Sequence, residues 1–395
     1  MDNFIYYVPT KIIFGKGEEN NVAKYLNEYN PSKVMLVYGT SSVKKSGLLE
    51  KVKHLLDEAN IKYVELGGVK PNPELPLVRE GIALALKEKV DFVLALGGGS
   101  VIDTAKDIAN GSANPSDDVW DYHIKKKMPA NTLKKAAILT LSAAGSEMSN
   151  SAVITNPEVG IKSGYNSDMN RLDFAICNPE LTYTVSKYQT ACGAVDIAMH
   201  SIERYFALGE ESGLTDDICL AVIKDAFKYG KDSFDYPNDY VARANMMWAS
   251  SLAHNNLTGC GRTFLLTVHQ LEHDLSAKYP SIAHGAGLAA LWCSWARYVY
   301  KYCLERWANY VNKIWDVDIS NSDDLEEAIL LGIKRQEDYY RSIGMPIAIK
   351  ELGVKEIDLE DLALRTSKNK TRTIPGYKPL EYFDLLEIYK MSYNA

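Results

Sequence analysis

Short apolar runs alternate with helix-like patterns through the first half of the chain. Residues 33–38, 62–66 and 91–96 have the apolar, β-branched character of buried strands, whereas residues 43–59, 77–89 and 100–109 have helical periodicity. Further apolar runs at residues 136–140, 151–155 and 173–177 predict more strands, the last two at the far side of the sheet. This alternation predicts right-handed βαβ units around a parallel, Rossmann-like sheet.

The pattern changes near residue 185. From residue 186 onward long helical patterns dominate, for example at residues 190–206 and 323–343. We therefore predict an α/β domain over residues 1–185 and an all-helical domain over residues 186–395.

A glycine turn follows the strand at residues 91–96. It contains Gly97, Gly98, Gly99 and Ser100 and leads directly into a helix, so that exposed N–H groups and the helix dipole favour a bound phosphate. The turn is not Gly-x-Gly-x-x-Gly, and a purely structural turn is the alternative. After the strand at 136–140, the hydroxyls and small residues of a second loop would line a pyrophosphate or ribose; its candidate positions are Thr140, Leu141, Ser142 and Ser146.

Three segments of the second half carry metal-binding side chains. Asp196 and His200 are four residues apart, so a helix would place both on one face. His269 and His284 lie in two later segments, and His284 is followed by small residues that let the backbone approach a ligand. Three imidazoles and one carboxylate suit Zn²⁺ or Fe²⁺, although the Asp-x-x-x-His spacing alone also occurs by chance.

Several motifs together resemble the iron-containing (group III) alcohol dehydrogenase family, in its NAD(P)H-dependent butanol dehydrogenase and aldehyde reductase branch. The resemblance runs nearly end to end, through residues 9–17, 70–73, 97–103, 140–147, 178–182, 193–203, the two later histidine segments and 379–384. It implies a dehydroquinate synthase-like two-domain architecture, small primary alcohols or aldehydes as substrates, and a homodimer.

The resemblance also implies roles for individual residues. Asp196, His200, His269 and His284 match the family's metal ligands, and His273 matches a histidine near the nicotinamide. Since imidazole titrates near neutral pH, His273 is a candidate proton relay in catalysis; the alternative is that it only positions water or the nicotinamide. Three further residues match positions that contact the cofactor: Asn72, Asp103 and Lys162.

The end of the first strand bears on the choice between NADP(H) and NAD(H). A carboxylate there would bind the 2′-hydroxyl of NAD and repel the 2′-phosphate of NADP. The chain has no acid at this place, but Gly39, Ser41, Ser42 and Lys45 offer N–H groups, hydroxyls and a cation. This favours NADP(H) over NAD(H); the alternative is a plain helix N-cap followed by surface lysines.

Charge and composition exclude other classes of function. The net charge of −7 over 395 residues argues against nucleic acid as the main partner. No run has the length of a membrane span and the N-terminal residues do not resemble a signal peptide, so we expect a cytoplasmic protein with no membrane partner. The six cysteines show no paired short spacing, in agreement with a reducing compartment.

Three alternatives remain open at the level of sequence. A metal-dependent lyase or cyclase on a dehydroquinate synthase-like scaffold would use a similar site, although such enzymes commonly have Glu at the first ligand position and need more cations for an acidic substrate. An NAD-dependent polyol dehydrogenase is disfavoured by His200. A nucleotide-binding protein with a vestigial site would have no reason to keep all four metal-binding residues.

Overall fold

The computed structural model describes residues 1–209, 212–320 and 325–395. The chain packs into two compact units. The first, here called the α/β unit, comprises Tyr7–Val185 and Tyr236–Asn255; the second, the helical unit, comprises Met1–Tyr6, Ser186–Asp235 and Asn256–Ala395. One division between the units falls after Val185, and both units are discontinuous in sequence because Met1–Tyr6 packs with the helical unit and Tyr236–Asn255 with the α/β unit.

A six-stranded parallel sheet forms the centre of the α/β unit, with strand order β1-β8-β5-β4-β2-β3. A separate antiparallel hairpin pairs β6 with β7. The strands are β1 (Lys11–Phe14), β2 (Val34–Gly39), β3 (Tyr63–Val69), β4 (Phe92–Gly97), β5 (Lys134–Leu139), β6 (Ser151–Asn156), β7 (Ile161–Asn166) and β8 (Phe174–Cys177).

Helices cover both faces of this sheet because neighbouring strand residues point to opposite sides. In β2, for example, Met35 and Val37 pack on one face and Val34 and Leu36 on the other, and all four are fully buried. The helices of the α/β unit are α1 (Val22–Asn27), α2 (Ser42–Lys45), α3 (Leu48–Glu58), α4 (Leu75–Glu88), α5 (Gly99–Ala113), α6 (Trp120–His123) and α9 (Tyr240–Ala253).

Two predictions for this unit were wrong in detail. Ser151–Asn156 forms a strand but not in the main sheet, because β7 folds back on it as a hairpin partner. Residues 43–59 form two helices, not one, because Gly47 between them has a φ of 77°, a left-handed conformation that ends α2. The strand near residue 173 does join the main sheet, as β8 between β1 and β5.

The helical unit contains the longest helices of the chain. Its α-helices are α7 (Lys187–Tyr205), α8 (Gly213–Asp235), α10 (Thr267–Lys278), α11 (His284–Val299), α12 (Leu304–Trp315), α13 (Leu325–Ser342), α14 (Leu359–Thr366) and α15 (Tyr382–Asn394). Residues 323 and 324, where the last predicted helix begins, lie outside the described residues. Of the described helices, none combines the length and the apolar composition needed to cross a membrane.

Candidate functional site

Three histidine side chains converge on one carboxylate oxygen in the helical unit. Asp196 and His200 lie one turn apart on α7, His269 is on α10, and His284 is the first residue of α11. The Nε2 atoms of His200, His269 and His284 lie 3.4, 3.5 and 3.8 Å from Oδ1 of Asp196. The structure therefore brings together all four side chains that the sequence singled out as metal ligands.

These distances fit a metal ion. Four ligands at about 2.1 Å from a tetrahedral centre are about 3.4 Å apart, close to the separations seen here. Among the described residues, Oδ1 of Asp196 and Nε2 of His269 are buried and make no hydrogen bond. Leaving such atoms unsatisfied costs about 1–3 kcal/mol each, and a cation placed between them would remove that cost. The donor set of one carboxylate and three imidazoles therefore fits Zn²⁺ or Fe²⁺.

Two glycines let α11 bring His284 close to the other ligands. A side chain on Gly285 would collide with the backbone of Cys192 on α7. A Cβ atom on Gly287 would lie 2.8 Å from Cγ of Glu272 on α10. The small residues after His284 thus allow close packing of α11 on both neighbouring helices.

His273 lies beside the cluster but outside the group around Asp196. It is one turn after His269 on α10, and its ring centroid is 6.5 Å from that of His269 and 5.7 Å from that of His284. The side chain is half-buried. A partly exposed imidazole next to a metal site can exchange protons with water and with a bound substrate.

Two buried glutamates accept hydrogen bonds from histidines of this cluster, and neither was among the predicted site residues. Glu203 accepts a hydrogen bond from Nδ1 of His269, and Glu272 accepts one from Nδ1 of His284. Burial opposes a charged His269 ring, but Glu203 and Asp196 outweigh that effect and raise the pKa of His269 to about 9. Because a metal ligand must be neutral, binding of an ion at its Nε2 would release a proton.

The α/β unit forms the predicted glycine turn at the carboxyl end of β4. Gly97 ends this strand and Gly99 begins α5, a helix of 15 residues. A Cβ atom on Gly97 would lie 2.8 Å from Cβ of Val101, and one on Gly98 would lie 3.0 Å from Cβ of Leu141. The absence of side chains keeps the backbone N–H groups at the start of α5 open to an anion, so the turn fits a pyrophosphate.

The second predicted loop lies next to this turn because β4 and β5 are neighbours in the sheet. Thr140 donates its N–H to the carbonyl of Gly97 at 3.1 Å, and Ser142 is buried. Helix α9 holds the loop from its other side: Ser250 donates to the carbonyl of Ala143, and Nδ1 of His254 lies 2.7 Å from the carbonyl oxygen of Ala144. Two sequence-distant loops thus form one surface.

The side chains of Asp103 and Ser146 are hydrogen-bonded to each other. Oγ of Ser146 donates to Asp103 at 2.5 Å, and the N–H of Val153 donates to the other carboxylate oxygen at 3.0 Å. Burial raises the pKa of Asp103, against the effect of the nearby ammonium of Lys106. Lys106 was not among the predicted site residues. Its position among the buried residues of α5 is unusual for a lysine and is a signal that could have identified it.

Two other predicted cofactor contacts are brought together by β6. The N–H of Thr155 donates to the carbonyl of Pro73, which follows Asn72, and Thr155 pairs with Lys162 across the hairpin. Asn72 has a φ of 54°, a left-handed conformation that asparagine tolerates. Both residues therefore lie near one end of the β6–β7 hairpin.

The segment that was predicted to contact the 2′-phosphate of NADP(H) follows β2. Gly39 ends this strand, and Ser41, Ser42 and Lys45 are exposed. Ser41 precedes α2, and its side chain makes no capping hydrogen bond with the described residues. The nearest acid on the adjacent strand, Glu65, accepts a hydrogen bond from the hydroxyl of Tyr38.

Comparison with known proteins identifies the family. Residues 9–179 match the family model "iron-containing alcohol dehydrogenase", and residues 190–393 match its C-terminal counterpart. The chain is 40% identical to NADH-dependent butanol dehydrogenase A of Clostridium acetobutylicum, with 100% of both chains covered. It is 31% identical to the NADPH-dependent aldehyde reductase YqhD of Escherichia coli, with 90% of both chains covered.

Solved structures agree with this result. The crystal structure of NADH-dependent butanol dehydrogenase A from Thermotoga maritima has a TM-score of 0.94 and 35% identity, covering 100% of this chain and 99% of the other. The family matches cover both units, and the metal-ligand cluster and the glycine turn each lie within a matched region. The chain therefore belongs to the iron-containing alcohol dehydrogenase family.

Proposed function

We propose that this oxidoreductase is an NADP(H)-dependent reductase of small primary aldehydes such as butanal, and that Asp196, His200, His269 and His284 hold its divalent ion. The observation that carries the proposal is the convergence of three Nε2 atoms on Oδ1 of Asp196, at 3.4–3.8 Å. When bound, Fe²⁺ or Zn²⁺ supplies a Lewis acid that polarises a carbonyl oxygen. NADP(H) supplies the hydride.

The chain's own residues would orient the reactants and move the proton. The N–H groups at the start of α5 bind the pyrophosphate, and the loop at residues 140–146 borders the same surface. His273, which lies beside the metal cluster, holds at a ring nitrogen the proton that neutralises the product alkoxide.

The preference for NADP(H) rests on the segment after β2. No carboxylate follows this strand directly, and Ser41, Ser42 and Lys45 are exposed there. Relatives of both kinds exist, since the clostridial enzyme is named NADH-dependent and the Escherichia coli enzyme NADPH-dependent. What supports NADP(H) is the chemistry of the segment, which offers hydroxyls and a cation to a phosphate.

Two further proposals concern the whole protein. All six cysteines lie in the described residues and none forms a disulfide, which supports a cytoplasmic location. Phe4 and Ile5 are 50% and 94% exposed, and such an apolar N-terminal segment supports a homodimer in which it is covered. Light scattering would then give twice the mass of one chain.

The test is the initial rate of butanal reduction with NADPH and with NADH, on metal-free protein and after Zn²⁺ or Fe²⁺ is restored. We expect activity only after metal is added, and a higher kcat/KM for NADPH. In the variant Lys45→Gln, kcat/KM for NADPH should fall roughly 10-fold while that for NADH stays unchanged. Lys62→Gln is a surface control.

Separate outcomes contradict separate parts of the proposal. A higher kcat/KM for NADH would refute only the cofactor preference. Full activity in protein shown to contain no metal would refute the role of the ion. Absence of butanal reduction with either nucleotide and either metal would refute the proposed substrate class.

A further inference from the structure

The sequence His-x-x-Glu occurs twice in the helical unit, as His200–Glu203 on α7 and His269–Glu272 on α10. In each case the glutamate accepts a hydrogen bond from a histidine of the cluster that lies on a different helix. We propose that Glu203 and Glu272 are positioning residues, which turn Nε2 of His269 and His284 toward the metal ion. The inference rests on the proposed metal site.

Glu203 connects α7 to α10. Its side chain is 2% exposed, and its Oε2 atom accepts a hydrogen bond from Nδ1 of His269. Its Oε1 atom accepts the N–H of Val268 at 2.5 Å, at the first turn of α10. With Nδ1 of His269 fixed as the donor, the lone pair of Nε2 is directed toward Asp196.

Glu272 connects α10 to α11 in the same manner. Its side chain is fully buried, and its Oε2 atom accepts a hydrogen bond from Nδ1 of His284. Gly287 occupies the position three residues after His284, where the two earlier motifs carry glutamate. Because a Cβ atom there would lie 2.8 Å from Cγ of Glu272, glycine at this position leaves the space that Glu272 occupies.

The two contacts have a chemical consequence for the ligands. A carboxylate that accepts the Nδ1 proton fixes the tautomer of the imidazole and makes its Nε2 a stronger donor to a metal. Asp196, Glu203 and Glu272 also place three buried carboxylates around one site. A divalent cation would offset most of that negative charge, so the arrangement favours a doubly charged ion.

The two glutamates differ in how cleanly they can be tested. Glu203 also binds the backbone of α10, so its replacement would disturb the start of that helix. Glu272 lies in mid-helix, and its side chain accepts the hydrogen bond of His284 from a position away from either end of α10. A suitable control is Glu337, a buried carboxylate of the same unit that pairs with Arg297 and takes no part in the metal cluster.

The experiment measures Co²⁺ binding to the full chain by competition with a chelator, together with the visible absorption of bound Co²⁺ and the Tm of the metal-free protein. The variants are Glu272→Gln, Glu272→Leu, Glu203→Gln and the control Glu337→Gln. We expect Co²⁺ affinity to fall about 10–100-fold in Glu272→Leu, with a changed absorption spectrum. The same loss is expected in Glu203→Gln, because both oxygens of Glu203 accept N–H groups and an amide can accept only one of them. In Glu272→Gln, whose amide oxygen still accepts a hydrogen bond, the loss should be smaller.

The outcomes separate this inference from the proposed function. If the wild-type chain binds Co²⁺ tightly and Glu272→Leu binds it within about 3-fold with an unchanged spectrum, the positioning role is refuted while the metal site stands. An equal loss of affinity in Glu337→Gln would also refute it, because general destabilisation would then explain the effect. If the wild-type chain binds no stoichiometric metal, both the proposed metal site and this inference fail.

Discussion

Lys106 offers the most informative perturbation in the α/β unit. The side chain is fully buried, and its Nζ atom donates to Ser146 Oγ at 2.9 Å and to the carbonyl of Ser151 at 2.6 Å. It also contacts both oxygens of Ser149, and it lies 3.7 Å from Oδ1 of Asp103. The ammonium group thus connects α5 to the second cofactor loop and to the start of β6.

The variant Lys106→Met keeps the volume of the side chain and removes the charge. Burial lowers the pKa of Lys106, but the carboxylates of Asp103, Glu147 and Asp107 oppose that effect and favour the ammonium form. Removing one partner of a buried charge pair costs about 3–5 kcal/mol, because the other charge is left uncompensated. We expect the free energy of unfolding to fall by that amount, and KM for NADPH to rise as Ser146 loses its partner. In the double variant Asp103→Asn/Lys106→Met the carboxylate nearest to the lost ammonium is removed as well, so the loss of stability should be smaller than in the single variant.

Urea denaturation followed by circular dichroism measures the loss, and a second buried lysine gives the matched control. Lys135 donates to Oγ1 of Thr132 at 2.7 Å, and burial lowers its pKa to about 7. At pH 8 it is mostly neutral, so Lys135→Met should cost only about 1–2 kcal/mol, the value of its hydrogen bonds to Thr132 and to the carbonyl of Leu133. A loss below about 0.5 kcal/mol in Lys106→Met, or one equal to that of Lys135→Met, would refute the reasoning.

Three further predictions concern single histidines. His284→Ala should weaken metal binding by more than about 100-fold in chelator competition; retained stoichiometric metal would contradict its assignment as a ligand. His273→Ala should keep its metal, measured by elemental analysis, but lower kcat by about 10²–10⁴-fold; metal loss would make His273 a ligand. Burial opposes a charged His123, but Asp107 outweighs it and raises the pKa of His123, so their pair stabilises the fold below about pH 6.5 and less as pH rises through the higher folded pKa. His123→Gln should therefore lose most stability in acid, unlike the exposed control His54→Gln, and a pH-independent loss would refute the charged pair.

The sheet could be predicted from the sequence because its strands are buried on both faces. β2 and β4 are almost entirely apolar, and a run of that kind is typical of a central parallel strand. The hairpin partner of β6 could not be read in the same way, since β7 contains Lys162, Ser163 and Gly164 and has little apolar character. The pairing of β6 with β7 depends on the tertiary contacts around the hairpin, and strand propensity alone does not predict it.

The four proposed metal ligands could be selected individually because their residue types restrict their chemistry. Asp196 and His200 also share one helix face, so local spacing brings them together. The approach of His269 and His284 to the same carboxylate depends on how α10 and α11 pack against α7, which no local pattern specifies. Sequence therefore supplied the list of proposed ligands, whereas the distances to Oδ1 of Asp196 came from the fold.

The glutamates show why local spacing can indicate the wrong partner. Glu203 lies three residues after His200 on α7, so helical geometry would pair these two side chains. In the structure Glu203 instead bonds to His269, and Glu272 instead bonds to His284. Gly287 indicates that the glutamates pair between helices and not within one helix, because a third glutamate at that position would occupy the space that Glu272 fills. The glycine at position 287 of α11 is thus the sequence feature that indicates the close contact between α10 and α11.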